Sequence, residues 1–440
     1  MNKKMSLSPA TGFLAVLVIA GTVLQSASAV EFETASGWKS TIRGFVAVRG
    51  DFDERDLGGS EPLFPPPEGS AQGENSALYF AANQSQIGFG LQAPKTDAFT
   101  NRAYIEFDFL NVDNGRTNTP SPRLRHAFWE MGWDDGIQSL LVGQTNVLFG
   151  DRLADLPYDN LNLALGSLFG REPQVRYTIV SPTSSGARMV YAASINSPNS
   201  GLFNQLTGTA ERTATPYIHA KIAFNTDALV GADYFGFEKG APIPAEIAIS
   251  GFVGREQVTK TAGAGTGSDE KVDAYGVALS GVWPIIGIRS GQKAGSLSLQ
   301  GQVWFGSNFD AYFGGNGQGI YETSTGVVDA IEGQGAFVSA KYYFTEALNV
   351  NAIFGFDENN LDDLTGSGQA FRIASGLFAG DTFGAPGVAD AQSVNIMFWY
   401  KPITSQSLYT GAGWDYRDAN YNDGTSGDNN RFTLAMFYNF

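Results

Sequence analysis

The chain closes on RFTLAMFYNF, residues 431–440. Phe432, Leu434, Met436, Tyr438 and Phe440 put an apolar or aromatic side chain at every second position. That period of two belongs to an extended strand with one apolar and one polar face. A chain end in water is ordinarily polar and frayed. The stripe therefore predicts a strand whose apolar side meets hydrocarbon, with Thr433, Ala435 and Asn439 on the other side.

The same rhythm recurs throughout. In residues 41–52, Ile42, Gly44, Val46 and Val48 alternate with Arg43, Phe45, Ala47 and Arg49. Ile105, Phe107 and Phe109 oppose Arg102, Glu106 and Asp108, and Val175, Tyr177 and Ile179 oppose Gln174, Arg176 and Thr178. Ile218, Ile222 and Phe224 oppose His219 and Lys221, while Leu297, Leu299, Val303 and Phe305 oppose Ser298, Gln300, Gln302 and Trp304. Residues 348–357 and 393–400 repeat the pattern. A β-sandwich also alternates, but its strands run ~5–6 residues. These approach the ~9–11 residues that a bilayer requires of a strand.

Connectors alternate in length. Short ones lie at 134–136, 181–186, 345–347 and 404–406. Long ones lie at 53–77, 146–172, 196–215, 309–334, 358–390 and 418–430. Short turns on one rim and long loops on the other describe an outer-membrane barrel. The expected fold is all-β: a transmembrane antiparallel β-barrel of about sixteen strands, with short periplasmic turns and long extracellular loops, made by residues 30–440 as one domain. Residues 226–245 read as an enlarged periplasmic turn; a strand pair there would give about eighteen.

Residues 1–29 read as a signal peptide: Lys3 and Lys4, a short apolar core, then Ala27-Ser28-Ala29 before Val30. The alternative is an N-terminal membrane anchor, for which the core is short. Loss of the two lysines leaves 26 basic against 44 acidic residues, which excludes nucleic acid as a partner, since phosphate contacts need clustered positive charge. Cysteine is absent, so disulfides, thiol catalysis and cysteine-ligated metals are excluded. Charged residues are only 16%, below the ~25% of soluble domains.

His126 and His219 fall on different strands, without metal-ligand spacing. Asp418, Asn420 and Asn422 imitate the start of a calcium loop, but Asp423 stands where Gly is required and Asn429 where Glu is required. No metal, cofactor or catalytic site is expected. A barrel hydrolase would need a serine beside its histidine, and around His126 and Glu130 there is none. The informative residues are arginines on the polar faces: Arg43, Arg49, Arg102, Arg123, Arg125, Arg176 and Arg188. In a water-filled lumen they form a basic wall suited to carboxylates, unless Asp51, Glu106 and Asp108 neutralise them. The loop 146–172 carries Phe149, Leu153, Leu156, Leu161, Leu163 and Leu165. Such a loop is expected to fold into the barrel, bringing Asp151, Arg152, Asp155, Asp159 and Arg171 near a constriction; packing on the outer rim or against a neighbouring subunit is the alternative.

Together STIRGFVAVRGDFDERD, RLRHAFWEMGW, SLLVGQTNVLFGD and REPQVRYTI resemble the DcaP-like trimeric porins of Gram-negative outer membranes. The resemblance is strongest from Thr41 to Ile179. It implies a sixteen-stranded barrel, a homotrimer, surroundings of outer-membrane lipid and lipopolysaccharide, and passive uptake of small, often anionic solutes. Arg123, Arg125, Arg171 and Arg176 fall where that family also places arginines. Tyr438 and Phe440 resemble the signal read by the barrel-assembly machinery. The N-terminal coiled coil that members can carry has no counterpart in residues 30–40, which lack heptads.

Overall fold

The computed structural model describes residues 30–57, 64–70, 73–96, 98–110, 121–133, 136–150, 165–183, 186–197, 212–231, 243–260, 266–289, 291–312, 318–360, 371–374, 387–402 and 407–440. The predicted leader lies outside them.

The first strands are β1 (Val30–Glu33), β2 (Lys39–Asp53), β3 (Ala77–Ala81), β4 (Gln86–Gln92), β5 (Phe99–Asp108), β6 (Arg123–Trp133) and β7 (Gln138–Asn146). There follow β8 (Arg171–Pro182), β9 (Ala187–Asn196), β10 (Arg212–Gly231), β11 (Ile243–Thr259), β12 (Asp269–Ile286) and β13 (Leu297–Ser307). The remainder are β14 (Ile320–Thr323), β15 (Val328–Ala330), β16 (Glu332–Tyr343), β17 (Leu348–Asn359), β18 (Phe371–Ala374), β19 (Val388–Tyr400), β20 (Leu408–Tyr421) and β21 (Ser426–Asn439).

Neighbours in sequence pair antiparallel, and β21 returns to pair with β2, from Asn439 against Phe45 to Arg431 against Asp53. β3 and β4 both pair with β2 and act as one interrupted strand. The result is a closed barrel of sixteen strands. Closure leaves no open edge, as hydrocarbon demands of a strand-built span. β14, β15 and β18 form a separate three-stranded sheet from two long connectors. No helix among the described residues is long and apolar enough to cross a membrane.

The alternation sorts side chains as the sequence predicts. Val46, Val48, Ile105, Ile222, Val303, Phe354 and Phe432 are exposed on the outer surface, and their strand neighbours Ala47, Arg49, Glu106, Ala223, Trp304, Ile353 and Thr433 are buried inside. Bulky apolar residues exposed on nearly every strand make a continuous belt, which water would not tolerate and lipid requires.

Three local features depart from expectation. The connector placed at 418–430 is mostly strand: β20 runs to Tyr421 and β21 starts at Ser426, leaving a four-residue turn. Asp418 and Asn420, read as a calcium-loop mimic, are strand residues paired opposite Asp428 and Ser426. Among the described residues, 226–245 add no separate strand, as the turn reading expects, but β10 and β11 extend into them, with a register shift between Thr226 and Val230. Last, residues 30–33 form β1, which folds back so that Val30 pairs with Ile42 and Glu33 with Lys39. β1 thus continues the row of β21, because Phe440 exchanges both backbone hydrogen bonds with Gly44.

The wall varies in height. β5 and β7 have 10 and 9 residues, whereas β10, β11 and β12 have 20, 17 and 18.

Candidate functional site

The inner surface has two chemically different walls. On the first, period-two alternation brings Arg43, Arg49, Asp51 and Asp53 of β2 inward beside Asp415 and Arg417 of β20 and Arg431 of β21. Arg49, Arg417 and Arg431 are buried against carboxylates. Arg431 grips Asp53 with two hydrogen bonds of 2.7 Å. Arg49 lies 2.6 Å from Asp51, which also accepts from Thr433 at 2.7 Å. Arg417 lies 2.8 Å from Asp415. Burial without such partners would be strongly unfavourable for every one of these ions.

Further round the same wall, Asp108 receives both arginines of RLRH: Arg123 at 2.7 Å and Arg125 at 2.8 Å. Arg125 also binds Glu106 at 2.7 Å. A β-bulge makes this possible. Glu106 pairs with His126 and Phe107 with Leu124, so Arg125 is an extra residue in β6. The bulge lets Arg125 and His126 both face the lumen. His126 Nδ1 lies 2.9 Å from the Thr145 hydroxyl, and its Nε2 lies 3.8 Å from Glu106. Arg43 donates to the Tyr104 hydroxyl at 3.1 Å and lies over its ring. Arg102 pairs with Glu130 at 2.5 Å and Arg188 with Asp227 at 2.9 Å, both more open to water. Arg176 donates to Gln174 at 2.9 Å and to the Asn146 carbonyl. At least five of the seven predicted lumen arginines, Arg49, Arg102, Arg123, Arg125 and Arg188, therefore have a carboxylate partner among the described residues.

The second wall, on β11 to β19, is mostly neutral: Ser280, Gln300, Gln302, Ser339, Asn351, Ser393 and Asn395 are buried on it. Against it lie the described ends of the long loop after β7. Phe149 is wholly buried, 4.6 Å from the ring of Phe252. Leu168 donates its amide to Gln302 at 2.9 Å, and the Gly166 carbonyl accepts from Trp304 Nε1 at 2.9 Å. The Leu165 carbonyl lies so close to Gly355 that a Cβ there would be 1.9 Å away. Both described ends thus pack inside the barrel rather than on its outer rim. Asp151, Arg152, Asp155 and Asp159 lie outside the described residues. Arg171 is the first residue of β8, in phase with the outward Val175 and Tyr177, and lies over the Phe169 ring. The loop reading expected it near a constriction; its phase along β8 is that of the outward row.

A second loop joins the first. Residues 308–312 bring in Phe309 and Tyr312, which pack with Phe149, Leu168, Tyr217, Phe252 and Trp304 into one buried cluster. A third, through Phe64, reaches Leu165, Ala391 and Ala419. Sequence reasoning passed over Arg417 and Arg431, although both stand in inward phase, and over Glu172, Glu256 and Tyr312, whose grouping depends on tertiary pairing. No group of three or more His, Cys, Asp or Glu suited to a metal occurs among the described residues.

No protein-family model matches the chain, and no curated sequence does. Solved structures do. The outer membrane channel DcaP of Acinetobacter baumannii superposes with a TM-score of 0.64 at 18% identity, over 95% of this chain and 100% of that one. The fold is the sixteen-stranded porin barrel. An anion-selective porin from Comamonas acidovorans gives a TM-score of 0.52 at 9% identity, over 92% of this chain and 100% of that one. OmpT of Vibrio cholerae gives 0.52 at 10%, over 93% and 100%. At these identities the likeness is one of fold.

Proposed function

We propose that this chain is a porin of the bacterial outer membrane, passing small hydrophilic solutes by diffusion and doing no chemistry on them. The observation that carries this reading is a closed barrel with an apolar outer belt and a charged or amide-bearing inner wall. Liposome swelling with sugars and amino acids of graded size tests it; vesicles that stay impermeable to all of them would overturn it. One observation favours a second reading, a plugged binding or adhesion barrel: aromatic side chains from two loops fill part of the lumen. The same assay separates the two.

The preference is for small carboxylates over matched cations. Arg102, Arg123 and Arg188 keep side-chain exposures of 62%, 26% and 41% while paired, so their guanidinium groups still meet passing solutes. The chain's acidic excess does not oppose this where it lies on the long-loop rim, beyond a Debye length of ~8 Å from the passage. Reversal potentials in a potassium chloride gradient decide the sign. Arg123→Ser with Arg125→Ser leaves Glu106 and Asp108 behind and should turn the pore toward cations. A wild-type pore already cation-selective would sink the preference and leave the channel standing.

A homotrimer fits the low wall at β5 and β7. Above the end of β5, Leu78 and Phe80 of β3 are 54% and 72% exposed, and a neighbouring subunit would cover them from lipid. Lipopolysaccharide surrounds the rest, and Tyr438 and Phe440 serve the assembly machinery as its signal.

A further inference from the structure

Where residues 308–312 meet the wall, the barrel buries titratable groups that conduction does not use. The Tyr312 hydroxyl lies 3.1 Å from Nε2 of His219 on β10. Glu172 of β8 places Oε2 3.7 Å from the same nitrogen, and that oxygen accepts from Asn196 of β9 at 2.8 Å. On β11, Glu256 accepts from the Tyr217 hydroxyl at 2.7 Å. Glu172, Tyr217, His219, Glu256 and Tyr312 are all at most 1% exposed. Neither carboxyl has a lysine or arginine partner among the described residues, and Glu172 Oε1, Glu256 Oε2 and His219 Nδ1 make no hydrogen bond there.

Two inward cations on the same strands have other hydrogen-bonding partners, although the charge of Arg176 still reaches His219. Arg176 of β8 holds Gln174 and the Asn146 carbonyl, and Lys221 of β10 pairs with Glu246 at 2.9 Å. The loops bring Tyr312, Phe149, Phe309 and neutral Asn308 against the group. An ionised carboxylate without a cation is strongly disfavoured in so dry a site, and two in one cluster also repel each other. The site nevertheless anchors both loops, since the Phe169 amide of the first donates to the Tyr312 carbonyl of the second at 3.0 Å.

We propose that Glu172 and Glu256 form a proton-operated latch. With both carboxyls protonated, residues 165–170 and 308–312 stay docked on the wall. Loss of the protons forces Tyr312 out, frees both loops and widens the passage. The latch acts on the channel proposed above, yet docking can be read without conduction.

The test follows amide hydrogen exchange at residues 165–170 and 308–312, with β12 amides as the internal reference, and single-channel conductance, both from about pH 6 to about pH 10. In the wild type, exchange at the loop amides should accelerate relative to β12 as pH rises, with conductance climbing about twofold or more as loops leave the lumen. Glu172→Gln with Glu256→Gln should stay docked and flat. A wild-type ratio of loop to β12 exchange that is constant with pH overturns the proposal without any variant, as does a double variant that responds like the wild type. Loops that undock with pH in a barrel that never conducts would uphold the latch and remove the channel.

Discussion

Arg431 and Asp53 have side chains 2% and 0% exposed and share two hydrogen bonds. Removing one partner of such a buried pair strands the other ion, at a cost of about 3–5 kcal/mol. Arg431→Met should therefore lower the thermal midpoint of the folded barrel on gels, whereas Arg431→Met with Asp53→Leu should recover much of the loss. Equal loss in both would show that the pair is not a closed unit. On the other surface, Phe354 is 43% exposed in the apolar belt. Phe354→Asp puts a charge against lipid, at a cost somewhat below the about 2–4 kcal/mol of a Lys or Arg at the bilayer midplane; Phe354→Leu should be nearly silent in the same unfolding titration. The sequence made the sides of Arg431 and Phe354 legible, because alternation is a local property of the backbone; Asp53 it read as the start of a long loop, whereas it is the last, buried residue of β2. It did not make the pairing legible. Which carboxylate meets which arginine depends on the register between strands far apart in the chain, and for Arg125 on a one-residue bulge that no spacing announces.

Among the elements, the loop after β7 rests on bare backbone. A Cβ at Gly355 would approach the Leu165 carbonyl to 1.9 Å, and one at Gly166, whose φ is +73°, would meet the Ala336 carbonyl at 2.2 Å. Gly355→Val should lift the loop from the wall while the barrel still forms. The expected result is a changed conductance with unchanged heat modifiability. Gly90→Ala, whose Cβ would find only ordinary contact at 3.6 Å, serves as the control and should conduct as the wild type does. Conductance unaltered by Gly355→Val would mean that the loop does not shape the path. That the described ends of this loop turn inward was legible in Phe149 and Leu165; Leu153, Leu156, Leu161 and Leu163 lie outside the described residues. The strand content of 418–430 was not. Above the hydrocarbon a strand rim can be polar on both sides, and Asp, Asn, Ser and Gly there imitate a loop.

At the scale of the molecule, sixteen strands hold only if the last closes on the first. Phe440 contributes two backbone hydrogen bonds to Gly44, and its ring lies where a side chain at position 44 would be, 2.8 Å from the Cβ site. Phe440→Ala should reduce the amount of heat-modifiable barrel recovered from membranes while export from the cytoplasm continues; normal yields would argue against a role in assembly. The architecture was legible because strand rhythm and connector length repeat along the whole chain, so single errors did not alter the count. The uneven wall was less so, since alternation marks where a strand is and not how far its neighbours reach.

β1 lies in the same row as β21, with Phe440 at Gly44 and Val30 at Ile42, so that one place, opposite Arg43, separates these two described residues along the row. The two chain segments already run head to tail along one line. A gene rearranged so that Phe440 is followed by a single linking residue and then Val30, and opened instead in the turn at 422–425, should still encode the same cylinder. Circular permutation is thus permitted by this seam, with the order of synthesis of the strands changed and their neighbours unchanged.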